Sequence, residues 1–146
     1  MKMNDKSIML FLFAFLLMVS TANGYEKRIA CGSEESFNEH GILWNADEPF
    51  DLHGAGYIGG EPIEAEWGTW IFGGTEMHMV HFRQREAFGE YRFVVPTGEY
   101  IVRLELSECR LNGPGRRIFD IVIEDSTFVS DMDLYAYVGR DYAVSI

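Results

Sequence analysis

Residues 100–106 read Tyr100-Ile101-Val102-Arg103-Leu104-Glu105-Leu106, in which apolar and charged side chains alternate from Val102 to Leu106. Tyr100, Val102, Leu104 and Leu106 fall on one face, and Arg103 and Glu105 on the other. A period of two belongs to a strand with one face buried and one in water. Working outward, residues 118–123 (IFDIVI) are more continuously apolar and β-branched, as in a strand covered on both faces. Residues 77–82, 91–95 and 142–146 also read as short strands. Turn-forming residues separate them: Gly73-Gly74, Pro96-Thr97-Gly98 and Asn112-Gly113-Pro114-Gly115. After residue 24 no window sustains a capped 3.6-residue period. Short strands with Gly/Pro punctuation predict one all-β domain, a sandwich or barrel. Residues 33–75 are less regular, rich in glycine and carrying Trp44, Trp67 and Trp70. A long irregular stretch of this kind is either a functional loop or a set of aromatic rings closing the end of the core.

The chain begins differently. Lys2 and Lys6 precede 12 uncharged residues, 8–19, and Ser20-Thr21-Ala22-Asn23-Gly24 follows with small residues at Ala22 and Gly24. That order is the order of a secretory signal. As a helix such a run rises about 18 Å, short of the roughly 30 Å hydrocarbon core of a bilayer. Residues 1–24 are therefore expected to be a cleaved leader rather than an anchor. The mature chain, 25–146, is expected to start at Tyr25 in the secretory pathway, extracellular or in the lumen of the endoplasmic reticulum. No membrane span is expected in it.

Of 146 residues, 12 are Lys or Arg and 23 are Asp or Glu, a net charge of −11 that becomes −12 without Lys2, Lys6 and Asp5. Such a charge repels phosphate backbones, which excludes nucleic acid as a partner. In an oxidising compartment the two cysteines, Cys31 and Cys109, can close a disulfide, and two buried free thiols fit the sequence as well.

Chemistry-bearing constellations are sparse. His78 and His81 stand three apart, which on a strand sends them to opposite faces, so no metal site is expected. Glu64 and Glu66 can share a strand face but read as a solvated acidic surface. Ser33, Ser36 and Ser107 lack a nucleophile-elbow context. No phosphate loop or dinucleotide fingerprint occurs. The expectation is a protein without catalytic activity and without a cofactor.

Several segments in order resemble one family. These are Arg28-Ile29-Ala30-Cys31-Gly32, His40-Gly41-Ile42-Leu43-Trp44-Asn45-Ala46-Asp47, Phe82-Arg83, and Phe88-Gly89-Glu90-Tyr91. They continue as Pro96-Thr97-Gly98-Glu99-Tyr100-Ile101-Val102-Arg103-Leu104, Leu106-Ser107-Glu108, Arg116-Arg117-Ile118-Phe119-Asp120-Ile121, Asp131-Met132-Asp133-Leu134 and Tyr137-Val138-Gly139. The series is similar to the malectin family. The resemblance implies a jelly-roll-like β-sandwich, galactose-binding-domain-like, that binds carbohydrate and is not an enzyme. The family domain continues past the position of Ile146, so the domain is expected to lack its last strands. In the family's ligand site, aromatic rings and one aspartate hold a glucose disaccharide. Tyr57 matches the first tyrosine, Gln84 falls at the second, and Arg110 and Leu111 fall at an adjacent Tyr-Phe pair. Tyr57 is then the stacking ring, with Gln84 and Arg110 as hydrogen-bonding groups. Only one aligned aromatic is kept, so the glucose specificity does not carry over. With a net charge of −12, a neutral oligosaccharide or glycoprotein glycan is the expected ligand rather than an acidic sugar. The alternative is a protein-interaction module with a protein partner, as in malectin-like receptor ectodomains.

Overall fold

The alternation at 100–106 becomes a strand whose Leu104 and Leu106 are 1% and 0% exposed while Arg103 faces solvent. The computed structural model describes residues 6–8, 16–20, 24–65, 71, 73–76 and 78–146. Their elements are β1 (Lys6–Ile8), β2 (Leu16–Ser20), β3 (Glu26–Ala30), β4 (Phe37–Glu39), β5 (Ile42–Trp44) and β6 (Ala55–Glu64). A 3-10 turn (Met79–His81) leads into β7 (Arg83–Phe93), followed by β8 (Ile101–Ser107), β9 (Ile118–Ile123) and β10 (Ser126–Asp133). A short helix, α1 (Leu134–Val138), and β11 (Ala143–Ser145) complete the order.

The strands pair antiparallel. One sheet has the order β1-β7-β6 and a second the order β11-β8-β2-β3; β4–β5 and β9–β10 form hairpins. Between the sheets lie Ile29 of β3, Tyr91 and Phe93 of β7, Leu104 and Leu106 of β8, and Phe119 and Ile121 of β9. Met132, Leu134 and Cys31 close the same core. The protein is an all-β sandwich.

Several local expectations are corrected. Of the expected strand 77–82, residues 78–82 do not form one, and Met77 lies outside the described residues. The Glu39 carboxylate accepts the backbone N–H groups of Met79 (2.8 Å) and Val80 (3.3 Å), which holds this stretch as a turn. Residues 91–95 are the end of an 11-residue strand, β7, rather than a separate one. The stretch 33–75 is more regular than its glycines imply, because it contains the β4–β5 hairpin and the 10-residue β6. Its register against β7 shifts between Ile58 and Gly59, where Gly59 and Gly60 take φ of 75° and 80°. Asp133 caps α1 by accepting the Ala136 N–H at 3.1 Å, and five residues are too few to show a helical period. Trp44 is a core residue packed with Ala30 and Val80; Glu66, Trp67 and Trp70 lie outside the described residues.

The apolar N-terminal segment supplies a strand. Each residue of β2 pairs with one of β3 and one of β8, from Leu16 opposite Ala30 and Glu105 to Ser20 opposite Glu26 and Ile101. Among the described residues no helix is long and apolar enough to cross a membrane.

Candidate functional site

Asp47 follows β5 and turns its carboxylate inward, where it is fully enclosed. Three donors converge on it. The Gly32 N–H lies 2.6 Å away, the Arg85 Nε–H 2.7 Å, and the Tyr91 hydroxyl 3.0 Å from both oxygens. Arg85, on β7, is 5% exposed and also donates from Nη1 to the Gly60 carbonyl at 3.0 Å. Its guanidinium carbon sits 3.3 Å from the centroid of the Tyr57 ring, and that ring meets Tyr91 edge-on at 6.4 Å. Tyr57 is half-buried and packs against the main core. Gly32 has φ of 81°, and a Cβ there would stand 2.2 Å from the Gln84 carbonyl oxygen, so only glycine brings this N–H to Asp47.

The electrostatics follow from enclosure. Burial pushes the Asp47 carboxyl up, while Arg85, Gly32 and Tyr91 oppose the rise. Burial works against the Arg85 charge, but its bond to Asp47 outweighs this and holds Arg85 above its usual value. Burial raises the Cys31 thiol and the Tyr91 phenol well above their usual ranges, and both stay protonated. The network has no free nucleophile. What it offers is a fixed aromatic ring backed by a buried ion pair.

A second network fixes the loop after β8. Glu108 Oε1 accepts the N–H groups of Arg110 and Leu111, each at 2.9 Å, and Oε2 accepts Arg117 Nη1 at 2.6 Å. Glu86 of β7 receives Arg110 Nη1 at 2.9 Å and Arg117 Nη2 at 2.8 Å. Arg110 thus reaches the surface on a loop tied to β7, its side chain 45% exposed, with Leu111 half-buried beside it.

Gln84 is placed differently from the sequence expectation. It is 0% exposed and its amide donates to the His81 carbonyl at 3.2 Å, so it is an interior group and not a surface partner for a ligand. The reason is that β7 is covered on both faces at this point. Asp47 and Tyr57 cover the side of Arg85, while His81, Ser107 and Cys109 cover that of Gln84. His81 Nδ1 lies 3.1 Å from Ser107 Oγ, which lies 3.4 Å from Cys109 Sγ, and all three residues are 0% exposed. Burial, with His78 adding to it, lowers His81 to about 4, so the ring is neutral. This histidine and serine are sealed from any substrate. His78 is exposed, so the two histidines do not converge. Both cysteines are buried free thiols: Cys31 belongs to the main core, and Cys109 packs with Ala65, Ile71 and Ala143. Glu64 is a surface residue paired with Arg83 at 3.1 Å.

Asp47, Arg85 and Tyr91 were not singled out as a unit from sequence. Asp47 closes the quoted Trp44–Asp47 segment, and Arg85 lies two residues beyond Arg83 on the same strand face, which was the available signal. A cavity of about 340 Å³ lined by Ala30, Ser33, Phe37, Val80 and Phe82 borders neither Tyr57 nor Arg110.

A family model described as the malectin domain matches residues 26–146. No curated protein and no solved structure matches the chain.

Proposed function

The chain belongs to the malectin family, and from that premise we propose that it is a lectin-like, non-catalytic domain of the secretory pathway that holds a neutral oligosaccharide against Tyr57. Carbohydrate binding is the family-level property. The observation that carries the assignment to this end of the sandwich is the half-buried Tyr57, whose ring is held by Arg85 at 3.3 Å. A pyranose presents a plane of C–H groups that stacks on such a ring. Arg110, on the loop tied down by Glu108, supplies donors for ring hydroxyls, competing with its bond to Glu86. Leu111 adds apolar surface beside it.

Loss of the ring in Tyr57→Ala is expected to weaken binding by roughly 1–2 kcal/mol, about 5- to 30-fold. Tyr57→Phe keeps the ring and is expected to stay within about 3-fold of the parent. Arg110→Ala is expected to weaken binding by a few-fold. Titration calorimetry with a glycan selected on an array measures all three. A parent that binds sugar with Tyr57→Ala unchanged moves the site elsewhere. A parent that captures a protein partner and no glycan replaces the reading with a protein-interaction module.

The secretory setting rests on the order of charge, apolar run and small residues in 1–24. N-terminal sequencing of the protein recovered from the secretory pathway is expected to begin at Tyr25. An intact Met1 overturns processing.

A further inference from the structure

Between β8 and β9 the chain reads Leu111-Asn112-Gly113-Pro114-Gly115-Arg116, a loop pinned at both ends. Glu108 accepts the N–H groups of Arg110 and Leu111 on one side, and Asp133 accepts the Gly115 N–H at 2.5 Å on the other. Asn112 stands exposed between these anchors. Among the described residues its side-chain amide has no hydrogen-bond partner, and the Gly113 N–H donates to none. Asn38 and Asn45 are placed differently. Asn38 Oδ1 accepts the Gly41 N–H at 2.9 Å, and the N–H that follows Asn45, that of Ala46, is held by Ser36 Oγ at 2.9 Å.

Gly113 also has a cation beside it. A Cβ built on it would stand 3.6 Å from Arg116 Nε, so the Arg116 side chain lies against the Gly113 backbone. Arg110 and Arg117 are paired with Glu86, and Arg117 also with Glu108. Arg116 is exposed and, among the described residues, makes no ion pair. Its charge therefore acts on the nearest peptide unit. A cation favours the deprotonated form of a neighbouring group, here the Gly113 amide nitrogen.

We propose that Asn112–Gly113 is a self-modification site, with Arg116 as its positioning residue. The Gly113 nitrogen gives its proton to hydroxide and attacks Asn112 Cγ. The N–Cγ bond forms, the Cγ–Nδ2 bond breaks, and Nδ2 leaves as ammonia with a proton from water. Water then opens the five-membered imide. Breaking the new N–Cγ bond leaves aspartate at position 112. Breaking the bond from the same nitrogen to the main-chain carbonyl carbon leaves isoaspartate, whose backbone is one methylene longer. Glycine suits the attack because no Cβ obstructs its nitrogen. Either product adds a negative charge to the loop that carries Arg110 and Leu111. The longer backbone of isoaspartate has to be absorbed between the Glu108 and Asp133 anchors.

The test holds the folded full chain at neutral pH and physiological temperature and maps its peptides by mass over time. The peptide containing Asn112 is expected to gain about 1 Da and to separate into aspartate and isoaspartate forms, while Asn38 and Asn45 stay unchanged. Mapping distinguishes it from Asn23-Gly24, the other Asn-Gly pair. In Gly113→Ala the added Cβ meets only an ordinary contact and the backbone is outside the left-handed region, so this variant is expected to fold. It is expected to convert several-fold more slowly than the parent. Arg116→Gln is expected to slow conversion a few-fold, and Arg116→Lys to restore most of the rate. In urea, where the loop no longer holds the guanidinium in place, parent and Arg116→Gln are expected to convert alike. An unconverted Asn112 in the parent overturns the site, as do equal rates for the parent and Gly113→Ala. Equal rates for folded parent and folded Arg116→Gln, or a difference that persists in urea, overturn the role of Arg116. Conversion is read by mass alone, so it stands or falls separately from sugar binding at Tyr57.

Discussion

Replacing Asp47 by alanine is expected to destabilise the domain by about 3–5 kcal/mol, a large fraction of the 5–15 kcal/mol that typically holds a domain folded. The carboxylate accepts from Gly32, Arg85 and Tyr91 at once. Without it the Arg85 guanidinium stays 5% exposed with only the Gly60 carbonyl and the Tyr57 ring for company. An uncompensated buried cation is the costly element, more than the loss of attraction itself. The double variant Asp47→Leu, Arg85→Met removes both charges and is expected to recover most of the loss. Urea denaturation of the parent and both variants measures it. A single variant within about 0.5 kcal/mol of the parent would mean that Arg85 finds water or another acceptor, and the site would not be rigid.

Acidification is expected to weaken the fold through His81. Its folded pKa is lowered from 6.5 to about 4 by burial. The unfolded chain therefore takes up a proton near pH 6.5 that the folded chain refuses until about pH 4. Above pH 6.5 the contribution is constant; as pH falls from there to about 4 the fold loses about 3 kcal/mol. His81→Gln removes the titration while leaving an amide to meet Ser107. Urea midpoints at pH 7 and pH 4.5 should show a larger drop for the parent than for the variant, since carboxylates titrate alike in both. Equal drops would mean that water reaches His81 in the folded state.

The fold was legible where one face of a strand alone meets the core, as in β8; β9, expected to be covered on both faces, buries only Phe119 and Ile121 and leaves Ile118 58% exposed. It was not legible at residues 77–82, whose Met-His-Met-Val-His-Phe order imitates a strand. There the decision belongs to Glu39, whose carboxylate sits 40 residues away in sequence and fixes the turn. Part of the site was legible too. Tyr57 was found by its place in a motif series, and it is half-buried against Arg85 and Tyr91. Gln84 was misplaced because a polar side chain gives no sign of being enclosed when its strand is covered on both faces. Arg83 and Arg85 have the same parity, and only the approach of Asp47, 38 residues from Arg85, selects the second as the buried partner. The strand role of residues 16–20 is likewise hidden in an apolar run, because such a run carries no alternation.

The Arg85 guanidinium against Tyr57 also has a stereochemical consequence. With the cation lying 3.3 Å from the ring centroid, that side of the aromatic plane is closed to a ligand. A sugar can approach from a single direction, so only one of its two faces is inspected. An axial hydroxyl on that face would hold the C–H plane away from the ring, whereas the same hydroxyl in the equatorial position would clear it. Epimers differing at one carbon should therefore separate by contact geometry alone, without any hydrogen bond that tells them apart. The ring is already oriented before the ligand arrives, so little rotational freedom remains to be lost on binding.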